Sequence, residues 1–224
     1  MVTDGTGRSR ETFESELSLL REDLLKMGGL VREAVHRSVQ ALKEQDLALA
    51  QAVVEGDEAL DIMEHEVEQS CLKLLALQQP MAVDLRFIGT ALKTVTDLER
   101  MGDHASDIAK VALRIGTEPL IKPLVDIPRM AAIIESMLDD GLRAFIGRDT
   151  EAALAVAKRD DEVDALYGQI YRELLTYMLE DPRTIRQATH LLFVGQHLER
   201  IADHVTNLSE WVVYLVKGEL LDLN

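Results

Sequence analysis

The sequence predicts an all-α protein, a tandem repeat of two antiparallel three-helix bundles, and three observations predict it. Only 4% of the 224 residues are aromatic and only five are proline, against abundant Leu, Ala, Glu and Asp, a stock that favours helices over sheets. Apolar residues recur at helical spacing through every long segment. Finally, Leu98-Glu99-Arg100-Met101-Gly102-Asp103-His104 is written again 100 residues later as Leu198-Glu199-Arg200-Ile201-Ala202-Asp203-His204, with five of the seven positions unchanged. The agreement falls on charged and polar types that a core does not select, so the echo marks a duplicated site rather than a common packing pattern.

Residues 1–12 are polar and Gly-rich, lack the apolar stretch of a secretion signal, and are expected to be a disordered N-terminal segment. The first bundle is expected over 13–116. Ser15 to Glu44 carries Leu17, Leu20, Leu24, Met27, Val31, Val35, Val39 and Leu42 at helical spacing, so one long helix is predicted. Gly28 and Gly29 weaken it by about 1 kcal/mol each relative to Ala, and mark either a kink or a close helix contact. Asp46 is a good N-cap for a second helix running to about Gln79, where Pro80 stops it. A third helix is expected from Val83 to Ile115, closed by Gly116.

Residues 117–128 hold Pro119, Pro123 and Pro128 and read as an irregular linker. The same order then resumes over 129–224, with a helix from Arg129 to Ile146, an N-cap at Asp149, a helix to Glu180, a turn at Asp181-Pro182 and a last helix to Lys217. Aligning Asp46 with Asp149 aligns Asp57 with Asp160 and Asp61 with Asp164 at an offset of 103, which becomes 100 after the turns. All prolines fall at the turns or in the linker, as helix boundaries require.

Forty acidic residues against 24 basic ones give a formal net charge of -16, which argues against a nucleic-acid or anionic-membrane surface and in favour of cations or basic protein patches. A single cysteine, Cys71, makes no internal disulfide and fits a reducing compartment, so a cytoplasmic location is expected. No apolar run approaches the roughly 18 residues of a membrane span, and a soluble protein is expected. The run Trp211 to Val216 is apolar all round. It fits burial in the core or a contact with a second copy, and a homodimer is expected.

The chemistry concentrates in acids. Glu99 and Asp103 are four apart and share one helix face, and Glu199 with Asp203 repeat them. Like charges at this spacing cost a few tenths of a kcal/mol unless compensated. The second helices bring Asp57 with Asp61 and Asp160 with Asp164. Counting from Pro80, Asp61 and Asp57 lie 19 and 23 residues before the bend, and Glu99 and Asp103 lie 19 and 23 after it. At about 1.5 Å per residue both pairs stand roughly 28 to 35 Å from the turn on antiparallel neighbours. The second half repeats the match to within one residue about Pro182. Four carboxylates at one level of a helix hairpin form a hard, oxygen-rich site for divalent or trivalent cations. Asp107 extends the first stripe by four residues, and its counterpart Asn207 can still ligate. His104 and His204 stand about 100° round the helix from the preceding acid, where they orient a carboxylate or pack, with direct ligation of a cation as the less favoured alternative. Arg100 and Arg200 either neutralise the acids or are solvated.

The signature Glu-Arg-x-x-Asp-His-x-x-Asn-Ile, twice per chain in tandem three-helix bundles, resembles the PhoU family, the phosphate-signalling accessories of bacterial phosphate-specific transport (Pst). Leu198 to Glu210 follows the pattern with Leu208 for the usual Ile, whereas the first copy carries Asp107 for Asn and Lys110 for Glu. The resemblance implies metal at the Glu/Asp-x-x-x-Asp pairs, as iron or zinc clusters or as magnesium or manganese. It also implies a non-enzymatic adaptor that links the transporter's ATPase (PstB-like) to a membrane sensor histidine kinase (PhoR-like). Such an adaptor negatively regulates phosphate uptake and keeps the phosphate-starvation (Pho) response off when phosphate is plentiful.

Two other classes compete. A ferritin-like carboxylate di-metal oxidase needs two Glu-x-x-His motifs facing a four-helix core, and only Glu33 to His36 has that spacing. A helical phosphotransfer domain accepting phosphate on His104 or His204 leaves the duplicated acids unexplained, and they repel an incoming phosphoryl group.

Overall fold

The computed structural model describes residues 5–223, with side chains from Arg10 onward. The chain is 87% helical, and no strand occurs among the described residues. Helix α1 (Gly5–Glu44) begins before the expected Ser15. The segment 1–12, expected to be disordered, is therefore helical from Gly5; Phe13 packs on the core, and residues 1–4 lie outside the described residues. The predicted stripe of α1 is buried throughout, from Leu17 to Leu42.

The second helix differs from expectation. It is broken into α2 (Leu47–Gly56) and α3 (Glu58–Gln78), and the second half repeats the break between α6 (Thr150–Ala157) and α7 (Asp160–Glu180). The junctions keep right-handed backbone but tighten to shorter-range bonds, Leu60 N–H to Asp57 O at 2.8 Å and Arg159 N–H to Val156 O at 2.9 Å. Each break turns a new helix N-terminus toward the acids, with Glu58 and Asp61, or Asp160, Asp161 and Glu162, in its first turn. The positive end of the helix dipole there favours carboxylates by about 0.3–1 kcal/mol each.

Asp46 caps α2 through Leu49 N–H at 2.9 Å, and Asp149 caps α6 through Glu151 and Ala152 N–H, both at 3.0 Å. Helix α4 (Ala82–Ile115) ends at Gly116 with φ 64°, and α8 (Ile185–Lys217) ends at Gly218 with φ 75°. Helix α5 (Asp126–Gly147) starts three residues earlier than expected, taking Pro128 into its first turn, where a missing N–H costs nothing. The linker before it is held to α8 by Gln187, which accepts from Ile121 N–H and donates to Pro119 O.

The halves α1–α4 and α5–α8 do not keep separate cores. One continuous apolar cluster runs through both, with α4 against α8 as the most extensive contact and α1 against α5 beside it. The two glycines of α1 part company here. A Cβ on Gly28 would lie 2.1 Å from Leu142 Cδ1 of α5, while one on Gly29 would meet nothing within 4 Å. Gly28 is a close contact between halves, not a kink. Of the apolar C-terminal run, Val212, Val213 and Leu215 are fully buried, while Val216 stands exposed.

Candidate metal centres

In each hairpin the acids of the two helices come within electrostatic reach of one another, although among the described residues no three of them bring ligand atoms within 4.8 Å of one another. In the first, Asp57, at the α2–α3 junction, and Asp61, on α3, face Glu99 and Asp103, on α4. Burial pushes the Glu99 carboxyl up to about 7, helped by the charge of Asp103 and, less, of Glu64 and Asp61, and opposed by Arg100. Asp57 is likewise raised, first by burial and then by Asp103 and Asp61, with the Ser106 hydroxyl partly offsetting. In the second group, burial and then Asp164, Asp203 and Glu199 lift Asp160 to about 6. Glu199 and Asp203 are raised by burial, with Asp203 acting on the former and Asp164 on both. At these sites burial first, and the neighbouring acids second, disfavour the charged carboxylates.

Local sequence sets the approach. Gly102 of α4 lets Leu60 sit where a Cβ would come within 2.4 Å of Leu60 Cδ1 and 3.6 Å of Asp57 Oδ1. The first turn of α3 is thereby drawn onto α4. A groove lined by Glu33, Arg37, Asp57 and Gly102 reaches this group from the α1 side, and Asp61 and Asp164 stand exposed at the outer edge of their groups. Arg100 spans Glu99 Oε2 at 3.4 Å and Asp103 Oδ2 at 3.0 Å, neutralising part of the charge. Arg200 acts on Glu199 and Asp203 only through its field.

Three features escaped the sequence reading. Glu64 borders the first group, its carboxyl raised mainly by burial. It continues the helical stripe of Asp57 and Asp61, but its counterpart is Tyr167, whose hydroxyl is raised by burial and by Glu199. The other two are Asp97 and His197, one residue ahead of the duplicated segment. Asp97 Oδ1 accepts from His204 Nδ1 at 2.9 Å and from Asn207 Nδ2 at 3.2 Å, and its Oδ2 from Trp211 Nε1 at 2.9 Å. Its twin His197 lies with its Nδ1 3.2 Å from His104 Nδ1. Asp107 and Asn207 accordingly find partners at the α4–α8 contact: Asn207 on Asp97, and Asp107 with Lys110 at 2.9 Å and beside the two imidazoles.

The residues fit a bound cation. Asp160 Oδ1 is buried without a hydrogen-bond partner among the described residues, a state that costs about 1–3 kcal/mol for a neutral group and more for a charged one. Oxygen donors in clusters of four suit hard or borderline cations.

The family model for the PhoU domain matches twice, over residues 24–112 and 127–212. The chain belongs to the PhoU family. A PhoU homologue of Aquifex aeolicus, a phosphate-specific transport system accessory protein, is 46% identical over 92% of this chain and 93% of its own length. The corresponding protein of Clostridium acetobutylicum is 42% identical over 96% and 99%. The crystal structure of PhoU from Pseudomonas aeruginosa superposes with a TM-score of 0.88 at 40% identity, covering 92% of this chain and all 100% of that one. The phosphate transport system regulatory protein PhoU from Streptococcus pneumoniae gives a TM-score of 0.87 at 34% identity over 94% and 99%. PhoU proteins are accessory and regulatory proteins, not enzymes, which sets aside the oxidase reading. His36, from the lone Glu-x-x-His, pairs instead with Glu135 at 3.2 Å on the surface. No helix among the described residues is long and apolar enough to cross a membrane.

Proposed function

We propose that this protein is a metal-carrying adaptor of phosphate uptake. Asp57, Asp61, Glu99 and Asp103 hold one set of divalent or trivalent cations, and Asp160, Asp164, Glu199 and Asp203 hold the other. Each bound cation supplies the counter-charge that these acids lack and ties α3 to α4 or α7 to α8. The outer helical faces dock a sensor histidine kinase (PhoR-like) and the ATPase of the phosphate ABC transporter (PstB-like), in the cytoplasm and as a homodimer. Contact with both keeps the phosphate-starvation response off while phosphate is plentiful.

The observation that carries this reading is the duplication of a four-carboxylate group in which Glu99 and Asp160 are pushed up to about 7 and about 6. Packing gains nothing from such an arrangement, and a cation relieves it. The family membership supports the regulatory half, because the relatives are accessory proteins of phosphate-specific transport. Docking is supported by the hairpin tips, where Leu77, Met81, Leu179 and Ile185 stand 67%, 80%, 85% and 48% exposed.

The test is a reporter of phosphate-starvation genes in cells lacking the endogenous gene for this chain and grown in ample phosphate. Wild type is expected to restore repression, and the double substitutions Glu99→Ala/Asp103→Ala and Glu199→Ala/Asp203→Ala to leave the reporter on at normal protein levels. Full repression by both variants would contradict the proposal.

A further inference from the structure

The two halves meet in pseudo-twofold fashion along α4 and α8, and the burial pattern of residues 91–110 is repeated without change over 191–210. Equivalent positions therefore occupy equivalent surroundings, and their differences are informative. On one side of the axis Asp97 takes up the donors of His204, Asn207 and Trp211, at 2.9, 3.2 and 2.9 Å. On the other side all but the histidine have changed. His197 replaces Asp97, His104 faces it in place of His204, Asp107 stands for Asn207, and the small Val111 stands for Trp211. A closed hydrogen-bonded knot has become two imidazoles and a carboxylate.

We infer that His104, Asp107 and His197 form a third metal site, for a borderline transition-metal cation of the zinc class, distinct from both carboxylate groups. The ligand atoms of all three residues lie within 4.8 Å of one another, and each residue is half-buried. The two Nδ1 atoms are 3.2 Å apart, with ring centroids 5.3 Å apart and planes inclined at 44°. Two nitrogens bound to one zinc at about 2.05 Å with tetrahedral angles stand about 3.3 Å apart, so the rings already have the spacing of a shared ion. Two imidazoles and one carboxylate are the three-protein-ligand set that leaves a fourth position for water. His204 stays with Asp97. Lys110 Nζ holds Asp107 Oδ1 at 2.9 Å, but its side chain is 43% exposed and swings to solvent without leaving a buried charge. The competing account is a single N–H to N hydrogen bond between two neutral rings.

The site straddles the halves, whereas each carboxylate group lies within one half, so its ion would clamp α4 to α8. The experiment uses the full chain carrying Glu99→Gln, Asp103→Asn, Glu199→Gln and Asp203→Asn, stripped by chelator and titrated with zinc(II) against a chromogenic competitor. One zinc per chain is expected to remain, with imidazole scattering in its X-ray absorption spectrum. Adding His197→Asp, which installs the residue of the internal twin and keeps an acceptor for His104, is expected to weaken zinc by at least about 10-fold, the least that losing even an outer-shell partner costs. Wild-type protein provides a second reading independent of the quadruple variant's folding, since imidazole scattering that is lost on adding His197→Asp alone is assigned to this site and not to the other histidines. Absence of imidazole scattering in wild type, or zinc affinity unchanged by His197→Asp, would overturn the inference. The fate of the carboxylate groups bears on neither result.

Discussion

Replacing Glu99 by glutamine makes the strain at the first carboxylate group measurable. In the metal-free protein this carboxyl is lifted from 4.5 to about 7. Between those values the native state binds more protons than the unfolded one, so stability falls as pH rises through this window, and above it the full penalty is present. At about 1.4 kcal/mol per tenfold change, the ceiling is about 3 kcal/mol. The side chain is only 14% exposed, yet Asp61 opens the group to solvent and Arg100 sits nearby, which brings the expected effect to about 1–2 kcal/mol. Glu99→Gln should therefore stabilise the chelator-treated protein by that amount at pH 8, with the gain shrinking toward pH 5. Urea unfolding at the two pH values measures it. In metal-loaded protein the sign should reverse, because the variant forfeits a ligand. A loss of stability at pH 8 without metal, or an unchanged pH slope, would refute the reasoning.

The remaining expectations concern the frame around the groups. Gly28→Ala should cost about 1–2 kcal/mol in denaturant unfolding, since Leu142 must give way by more than the roughly 1 kcal/mol gained in helix propensity, whereas Gly29→Ala, facing open space, should gain up to about 1 kcal/mol. Asp97→Ala strands three donors beside a carboxylate position that is 13% exposed and should cost about 3 kcal/mol in the same assay, with Asp97→Asn recovering part of it. Asp149→Ala removes the cap on α6 and should cost about 1 kcal/mol, read as a fall in the urea midpoint.

The helices and their duplication were legible because periodicity and proline placement are local signals. The level-matching of the acids was legible because an antiparallel hairpin converts residue counts into heights. The breaks at Asp57 and before Asp160 were not. Their backbone stays right-handed on both sides, and the close approach of Leu60 to Gly102 beside the first of them is a tertiary contact that no local signal announces. The merging of two bundles into one core was hidden for the same reason, since Gly28 reads alike as a kink and as a contact until Leu142 is seen against it. Glu64 was missed because its counterpart is Tyr167, so a search for echoes passes over it. Asp97 and His197 were missed because they differ in kind, although each immediately precedes the repeated segment. Repetition revealed the conserved chemistry of the halves and concealed their divergence.

The central claim is that each half carries its own cation at its own four carboxylates. Metal analysis of wild-type protein beside Glu99→Ala/Asp103→Ala and Glu199→Ala/Asp203→Ala, with anomalous diffraction to place each ion, tests it most directly. Each variant should lose the ions of the altered half and keep those of the other. Metal content and positions unchanged in both variants would contradict the account.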